Sequence, residues 1–360
     1  MKHLLISCVQ WLSKRFGFHL TTKPGNTIIL STIPPTPLIR TAHQGGSSFS
    51  GGAGMSKVPK TLQEQLNLLK SRGLTVANEP FALHCLAHLN YYRLSAYRFP
   101  YTVPGNRDQF QPGTTFQQIW DLYHFDRTLR RLILEGCKRV EISVRSRFAY
   151  EIGHQLGSLG YLENRHFADH LIHAKTLTKL HSEMERSKEI FIKHHRDVLK
   201  MPWPPAWVIV EVASFGAISN LLGQIQPPAL RQSIADTYQL DERTFCSLFH
   251  HLSIMRNTAA HHSRLWDRKF VITFQLPRKK PTHLWPNFHL TVASPPSRES
   301  KIYNSLVLLV HMIEIIEPGS HWPATLAKHI KTLDPRLVPD MGFPADWEQR
   351  PIWQPLLANP

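Results

Sequence analysis

Cysteine is scarce in this sequence, and its four cysteines are widely separated along the 360-residue chain. They stand at Cys8, Cys85, Cys137 and Cys246, and no Cys-x-x-Cys pair occurs among them. Spacing of this kind argues against a zinc ribbon and against a framework of disulfides. The sequence therefore predicts a protein of a reducing compartment, and we expect a cytoplasmic location.

Long apolar runs are also missing, because no stretch reaches the roughly 20 residues that a membrane-spanning helix needs. The most apolar candidate, Leu306–Ile316, is interrupted by His311 and Glu314. This pattern predicts a buried helix and no transmembrane segment. No repeat with the period of a solenoid protein is visible.

Acidic residues are few, with 26 Asp and Glu against 42 Lys and Arg, which gives a formal net charge of +16. A hydrophobic content of 42% is typical of a folded chain, so the charge belongs to a globular protein. Excess positive charge of this size indicates a polyanionic partner, either nucleic acid or an anionic membrane surface. A soluble basic protein with a solvated surface is the simpler alternative.

Residues 1–54 differ in composition from the rest, since they contain five basic residues and no acidic one. Prolines and a Gly/Ser stretch, Gly45–Gly54, predict a flexible basic extension. Three explanations compete: a weak export signal, a disordered arm, or a start codon assigned too early. We favour a true start at Met55, because helical periodicity begins directly after it.

From residue 55 the pattern of apolar residues is helical, and it predicts an all-α fold. Thr61 is the expected N-cap of the first helix, and Thr115 is expected to open a long helical stretch. We assign a helical domain to residues 55–276, including one long polar helix over residues 167–199. Val271–Leu276 is expected to form a short strand or an extended arm. Residues 277–360 are expected to form a loop-rich C-terminal extension with one helix, Ile302–Ile316.

Two aromatic or basic stretches provide candidates for RNA binding. Aromatic rings next to arginine can stack on exposed bases, although such clusters are more often packing corners. The charged segment Asp126–Arg147 could bind phosphates, or it could be an exposed helix face with i, i+4 ion pairs such as Glu141–Arg145. The candidates are Tyr91, Tyr92, Arg93, Arg127, Arg130 and Arg145.

The densest group of chemically active side chains is Met255–Arg268, which contains arginines, an asparagine and adjacent histidines. A helix beginning near Asp241 is predicted to run directly into it. On a continuous helix, Asn257, His261 and Arg264 would lie on one face at i, i+4 and i+7, and Arg268 would extend that face.

Arg256 would lie about 140° around the helix from His261. The two side chains could therefore meet one phosphate at the edge of a groove, or across two copies of the helix in a dimer. The spacing Arg-x4-His is weak by itself, because it recurs at Arg165 and His170, where nothing else indicates function.

These side chains suit RNA cleavage without a metal ion. An imidazole has a pKa near neutrality and can take a proton from the 2′-hydroxyl, while a guanidinium binds the charge that gathers on the phosphorus centre. A buried core histidine is the usual alternative. Metal binding is also conceivable, but adjacent histidines on a helix diverge by about 100° and no carboxylate stands at ligand spacing. The four histidines considered are His250, His251, His261 and His262.

The motif resembles the signature of the Abi-like abortive-infection proteins, within the HEPN superfamily. Further blocks resemble that family in the same order along the chain. They are Gln65–Leu74, Asn90–Tyr97, Tyr123–Arg130, Arg139–Arg145 and Trp207–Gly216. The resemblance covers about Lys60 to Arg268, and the ordered blocks make it far more specific than the motif alone.

The resemblance implies a HEPN-like helical bundle, a homodimer with a composite site, and bacterial defence against phage. It carries over Arg256, Asn257 and His261 as motif residues, which we take as catalytic, and it leaves open whether His261 or His262 is the catalytic histidine. We name His262, Arg264 and Arg268 as possible supporting residues. We therefore expect a metal-independent endoribonuclease that needs no cofactor, with RNA as partner and an antitoxin or a phage-derived trigger as regulator. The alternative is a non-catalytic RNA-binding or scaffold module, and a peripheral membrane protein has little support beyond charge.

Overall fold

The computed structural model describes residues 58–277, 281–290 and 301–358. Within these ranges the fold is all-α, as the sequence predicts, and a small hairpin is the only sheet. The described residues from Pro59 onward belong to one compact unit. The predicted extension over residues 1–54 lies outside the described residues, and the boundary at residue 276 stays a prediction.

The helices are numbered here in chain order. They are α1 (Leu62–Ser71), α2 (Glu79–His88), α3 (Tyr91–Ser95), α4 (Phe116–Leu156), α5 (His170–Arg186), α6 (Ile190–Lys193), α7 (Ala206–Val212), α8 (Phe215–Gln224), α9 (Pro228–Asp236), α10 (Glu242–Ala260), α11 (Tyr303–Ile316), α12 (Trp322–Lys331) and α13 (Gln354–Ala358). The hairpin pairs β1 (Thr102–Val103) with β2 (Asn106–Phe110) in antiparallel register.

Side-chain caps explain where several helices begin. Thr61 and Glu64 form a reciprocal capping box at the start of α1, and Thr115 with Gln118 forms another at the start of α4. Asp241 caps α10 by accepting a hydrogen bond from the backbone of Thr244. These starts confirm the predicted helix boundaries at Thr61, Thr115 and Asp241.

Helix α4 is the central element. Its 41 residues span about 60 Å at the usual rise of an α-helix. Helices α7, α9, α10, α11 and α12 all pack against it. Its buried positions are mostly apolar, but Asp126 and Glu141 are buried among them. The predicted motif begins in the last turns of α10, and α10 packs against α4.

The long polar helix predicted over residues 167–199 is wrong. Helix α5 ends at Arg186, and a short α6 and a π turn, His194–Val198, follow after a break. The five residues between Met184 and Ile190 are all polar. They offer no apolar side chain that could hold a continuous helix against the core.

The tail contains more helix than the one predicted. Helix α11 confirms the helix at Ile302–Ile316 within one residue, while α12 and α13 were not predicted. Pro323 lies in the first turn of α12, where a missing backbone N–H has no cost. Prolines that were interpreted as loop residues therefore include a helix start. Val271–Leu276 has no strand assignment, which leaves the extended alternative.

Candidate functional site

The motif helix α10 ends at Ala260, in the middle of the motif. His262 adopts the left-handed conformation, with φ of 57°. Its backbone N–H donates to the Ala259 carbonyl at 3.0 Å, and that of Ser263 donates to the Thr258 carbonyl at 3.0 Å. This pair of bonds is a Schellman termination, which usually has glycine where His262 stands.

The early end of α10 makes one prediction wrong. His261 is the C-cap residue, so Arg264 and Arg268 lie beyond the helix and do not continue the face of Asn257. The residues from His261 to Arg268, which we name the motif loop, form a non-helical segment after α10. The sequence contains no glycine or proline there, so nothing in its composition marked the termination.

Asp126 of α4 holds the motif loop by hydrogen bonds to its backbone. Its Oδ1 accepts hydrogen bonds from the backbone N–H of Leu265 at 3.1 Å and of Trp266 at 2.7 Å. Its Oδ2 accepts from the Tyr97 hydroxyl at 2.6 Å and from the Arg130 guanidinium. The carboxylate is fully buried, so these donors replace the water it lost. Burial, followed by the negative charge of Asp126, raises the pKa of Tyr97, which keeps its hydroxyl a donor.

Arg264 and Arg268 have structural contacts. Arg264 Nη1 donates to the Ala96 carbonyl at 2.9 Å, and its guanidinium lies 5.5 Å from the Trp266 ring centroid. Arg268 lies over the Phe270 ring at 5.8 Å. Both arginines therefore stabilise the motif loop, and their supporting role in catalysis stays a prediction.

Arg256 lies near the second buried carboxylate of α4. Its Nη2 is 3.8 Å from Glu141 Oε2, and its Nη1 donates to Asn257 Oδ1 at 2.9 Å. Arg145 binds the other oxygen of Glu141 and donates to the Ala213 carbonyl at 2.6 Å. The Arg256 side chain keeps 38% of its exposed area, so it remains open to solvent on one side.

The two motif histidines are both exposed, and they differ in their surroundings. The His262 carbonyl accepts a hydrogen bond from Arg93 Nη1 at 2.8 Å, which ties α3 to the motif loop. His262 also lines a cavity, while His261 is not among its lining residues. The fold thus places His262 closer to a concave surface than the histidine that the sequence favoured.

That cavity is about 450 Å³ in volume, and we name it the arginine cavity. Helices α3 and α4 supply its arginines, and α4, α10 and Leu89, the residue after α2, supply its apolar surface. The lining residues are Leu89, Arg93, Tyr123, Arg127, Arg130, Arg131, Leu134, Ala259 and His262. It brings together three of the predicted RNA-binding residues and one motif histidine.

The other predicted RNA-binding residues lie elsewhere. The Tyr91 hydroxyl accepts hydrogen bonds from Arg72 at 3.0 Å and from Arg98 at 3.3 Å, away from this cavity. Tyr92 is 71% exposed, and Arg145 belongs to the Glu141 cluster. The predicted aromatic platform therefore divides between a packed tyrosine and an exposed one.

Comparison with known protein families decides the classification. A sequence model of the Abi-like proteins matches residues 84–267, which is half of the chain. The chain belongs to the Abi-like protein family. The match contains the arginine cavity, the buried carboxylates of Asp126 and Glu141, and the motif loop up to Asp267. It leaves out Gln65–Leu74, the first block that the sequence analysis assigned to the family.

Membership of the Abi-like family connects the chain with abortive infection as a defence against phage. Neither a curated protein nor a solved structure matched it. Among the described residues, no helix is long and apolar enough to cross a membrane. Helices α11 to α13 lie beyond the matched residues.

The neighbouring histidines of α10 hold packing contacts. His251 is fully buried between the Ile272 carbonyl, 2.8 Å from Nδ1, and the Ser305 hydroxyl, 2.9 Å from Nε2. Burial lowers the pKa of His251 to about 4 and also lowers that of His250, which contacts Ser219. In the described ranges, no group of three or more His, Cys, Asp or Glu residues is placed to hold a metal ion.

Sequence reasoning missed the roles of Asp126 and Glu141. Asp126 shares a helical face with Leu122 and Leu129, and Glu141 shares one with Cys137 and Val144, at spacings of three and four residues. An acidic residue in an apolar register is a detectable signal of a buried carboxylate. These two acids were instead counted as parts of an exposed charged face.

Proposed function

We propose that this Abi-like protein is a metal-independent endoribonuclease of the abortive-infection type, which arrests an infected bacterial cell by cutting RNA. The observation that carries the proposal is the position of the motif loop beside the arginine cavity. Basic side chains bind phosphate, and an imidazole that lines the same cavity, that of His262, can move a proton. The fold supports a HEPN-type relationship only through its all-α character and this motif.

The proposed reaction needs one proton acceptor and one proton donor. A 2′-hydroxyl loses its proton to an imidazole and attacks the adjacent phosphorus, and the 5′-oxygen leaves with a proton from a second acid. The products are a 2′,3′-cyclic phosphate and a 5′-hydroxyl. Arg256 and the cavity arginines stabilise the charge on the phosphorus centre, and Asn257 orients Arg256. His261 is the expected base, with His262 as the competing assignment.

Exposed apolar side chains support the proposed homodimer. Ile142, next to Glu141 on α4, is 56% exposed, and Tyr150 two turns later is 53% exposed. Trp207 of α7 is also 53% exposed, and its ring packs at Gly153 of α4. Large exposed apolar residues on one helix and on a helix packed against it often mark a protein interface. A second copy bound here would bring its own Arg256 cluster close to the first.

A non-catalytic RNA-binding module is the second candidate. The contacts that two of the arginines make within the fold favour it. Arg130 is buried against Asp126, and Arg256 is shared between Glu141 and Asn257. Arginines held in this way can serve the fold alone. On this reading the exposed Arg127 and Arg131 bind RNA, and no bond is broken.

Cleavage of RNA in excess EDTA distinguishes the two candidates. We expect purified protein to cut single-stranded RNA, and Arg256→Ala and His261→Ala to lose about 100-fold or more in rate, as loss of a general base or of a charge-stabilising group does. The matched controls are Arg165→Ala and His170→Ala, which remove the same pair of residues at the same spacing, before and at the start of α5. They should cut normally.

The outcomes are unambiguous. Intact RNA after incubation with the wild-type protein, or equal loss in the control variants, excludes the nuclease at this site. If His262→Ala loses activity while His261→Ala keeps it, the base is His262. Full binding by a His261→Ala variant that cannot cut agrees with the nuclease, whereas binding without any cutting by the wild type establishes the module.

The dimer and the biological role have their own measurements. Light scattering should give twice the chain mass, and Trp207→Arg should reduce it to one chain if the apolar surface is the interface. Expression in bacteria should arrest growth and reduce phage yield only with the intact motif. Growth arrest without infection would indicate that an antitoxin partner is normally present.

A further inference from the structure

The arginine cavity has two chemically different walls. Leu89, Tyr123, Leu134 and Ala259 give it apolar surface, and arginines give it charge. On α4 the lining residues follow a helical stripe, because Tyr123, Arg127, Arg130 and Leu134 are spaced by three or four residues. A wall that is apolar at both ends of the stripe and basic between them suits a ligand of mixed character.

The charge of the cavity is unbalanced. None of its lining residues is acidic. Arg130 forms an ion pair with the buried Asp126, which balances its charge. Arg93 donates to the His262 carbonyl, which carries no net charge. Arg127 and Arg131 are exposed and have no ion pair with any of the described residues. Up to three guanidinium charges therefore remain available to an anion, so the expected occupant is anionic.

The size of the cavity limits that anion. Small-molecule sites usually enclose about 300 to 1,000 Å³ and combine apolar surface with a few polar groups. At about 450 Å³ the cavity is much larger than an inorganic phosphate requires. It is too small for a duplex, whose paired bases cannot leave the stack. A single nucleotide has the required flat apolar part, the charge and the size.

We propose that the arginine cavity binds one unpaired nucleotide. Its base lies against Leu89, Tyr123 and Leu134, and its phosphate lies on Arg127 and Arg131, with Arg93 at the rim. His262 lines the same cavity, so the nucleotide would be held beside the motif loop. This inference rests on the proposed function, because it takes the nucleotide to be part of an RNA substrate. It adds that the RNA must be single-stranded.

Binding of short oligonucleotides tests the proposal without requiring cleavage. The probe is a fluorescent single-stranded tetranucleotide with 2′-O-methyl groups, which has no 2′-hydroxyl to attack. Its affinity is measured by anisotropy and compared with that of a longer, stably paired duplex that contains the same sequence. We expect the single strand to bind at least 10-fold more tightly. Adenosine monophosphate and inorganic phosphate serve as competitors.

Substitutions then locate the site. Arg127→Ala and Arg131→Ala should each weaken binding of the tetranucleotide about 10-fold, because each removes a charged hydrogen bond. Each should also lower the slope of log affinity against log salt by about one. The control is Arg243→Ala, an equally simple loss of an exposed arginine at the opposite end of α10. All three side chains are exposed, so thermal melting should be unchanged.

Three results would overturn the proposal: equal binding of duplex and single strand, normal binding by both cavity variants, or displacement by inorganic phosphate as effective as by adenosine monophosphate. Competition by free adenosine monophosphate at lower concentration than by the tetranucleotide would identify a free nucleotide as the occupant. Because no readout here depends on cleavage, a failed nuclease assay with intact binding disproves only the proposed function. Failed binding with intact cleavage disproves only the cavity.

Discussion

Two of the buried carboxylates of α4, those of Asp126 and Glu141, lie about 22 Å apart along the helix, and they hold α10 and its loop in different ways. Asp126 is enclosed, since two backbone N–H groups, a tyrosine hydroxyl and a buried arginine use its lone pairs. Glu141 is bound by two arginines that both keep some exposure. The closed cluster builds the shape of the motif loop. The open cluster holds a motif arginine that can still contact a ligand.

The largest effect should come from removing the closed carboxylate. Asp126→Ala leaves Arg130 buried without a counter-charge and removes the acceptor of two loop N–H groups. We expect the free energy of unfolding to fall by about 3–5 kcal/mol. Urea denaturation measures it. Glu135→Ala, which breaks an exposed pair with Arg139 on the same helix, is the control and should cost less than about 1 kcal/mol. Similar losses in both variants would remove the distinction between enclosed and exposed acids.

Lowering the pH tests a third buried polar group, His251 of α10, which is stable in the core only while it is neutral. The pKa of His251 is about 4 in the folded protein and near 6.5 when the chain is unfolded. Between these values the unfolded state binds more protons, so stability falls as the pH is lowered from 6.5 towards 4. The loss should be about 3 kcal/mol.

Denaturation at several pH values measures this slope. His251→Gln should flatten it, although the variant starts from lower stability. Replacement of the exposed His88 by glutamine should leave the slope as in the wild type. An unchanged slope in His251→Gln would mean that other groups set the acid sensitivity.

The segment of α4 between the two clusters offers the next test. A Cβ on Gly136 would lie 2.5 Å from Cζ2 of Trp322, which is fixed by its indole bond to the Leu132 carbonyl at 2.9 Å. Gly136→Ala should therefore reduce stability by about 1–3 kcal/mol, despite the better helix propensity of alanine. Gly223→Ala, where nothing lies within 4 Å, should instead gain about 0.4–1 kcal/mol. Melting temperatures that rise in both variants would show that α12 does not pack tightly here.

The smallest effect concerns the open cluster. A double-mutant cycle with Glu141→Gln and Arg256→Gln should give a coupling energy below about 1 kcal/mol, because the pair is 3.8 Å apart and the arginine is partly exposed. The same cycle on Asp126 and Arg130 should give a clearly larger value. A strong coupling at Glu141 would make that cluster structural, and it would weaken the case for Arg256 in catalysis.

The fold was predictable where local signals agree. Thr61, Thr115 and Asp241 combine a capping side chain with apolar periodicity, and the helices begin where these residues predict. The end of α10 was not predictable, because His262 occupies a position that glycine usually fills and the termination depends on contacts from Asp126 and Arg93. Those contacts join residues 139 and 169 positions apart, which no local pattern reports.

The site shows the same division. The sequence identified Arg93, Arg127, Arg130 and His262 as candidates, and the fold places these four around one cavity. It also predicted that Arg264 and Arg268 share the face of Asn257, which assumed a helix that the motif loop does not continue. Helical periodicity is reliable only as far as the helix extends, and tertiary contacts decide where it stops.

The uninterrupted length of α4 has a consequence for how this protein can change. One continuous helix carries several cavity residues together with Asp126, Gly136 and Glu141. The directions in which these side chains point are therefore fixed by the number of residues between them. One residue inserted between positions 131 and 140 would rotate everything after it by about 100° and shift it by about 1.5 Å. Glu141 would leave the side that faces α10, and Gly136 or its neighbours would no longer meet Trp322. Insertions and deletions should therefore be tolerated in the loops but excluded from this segment, because its length fixes the spacing of the whole site.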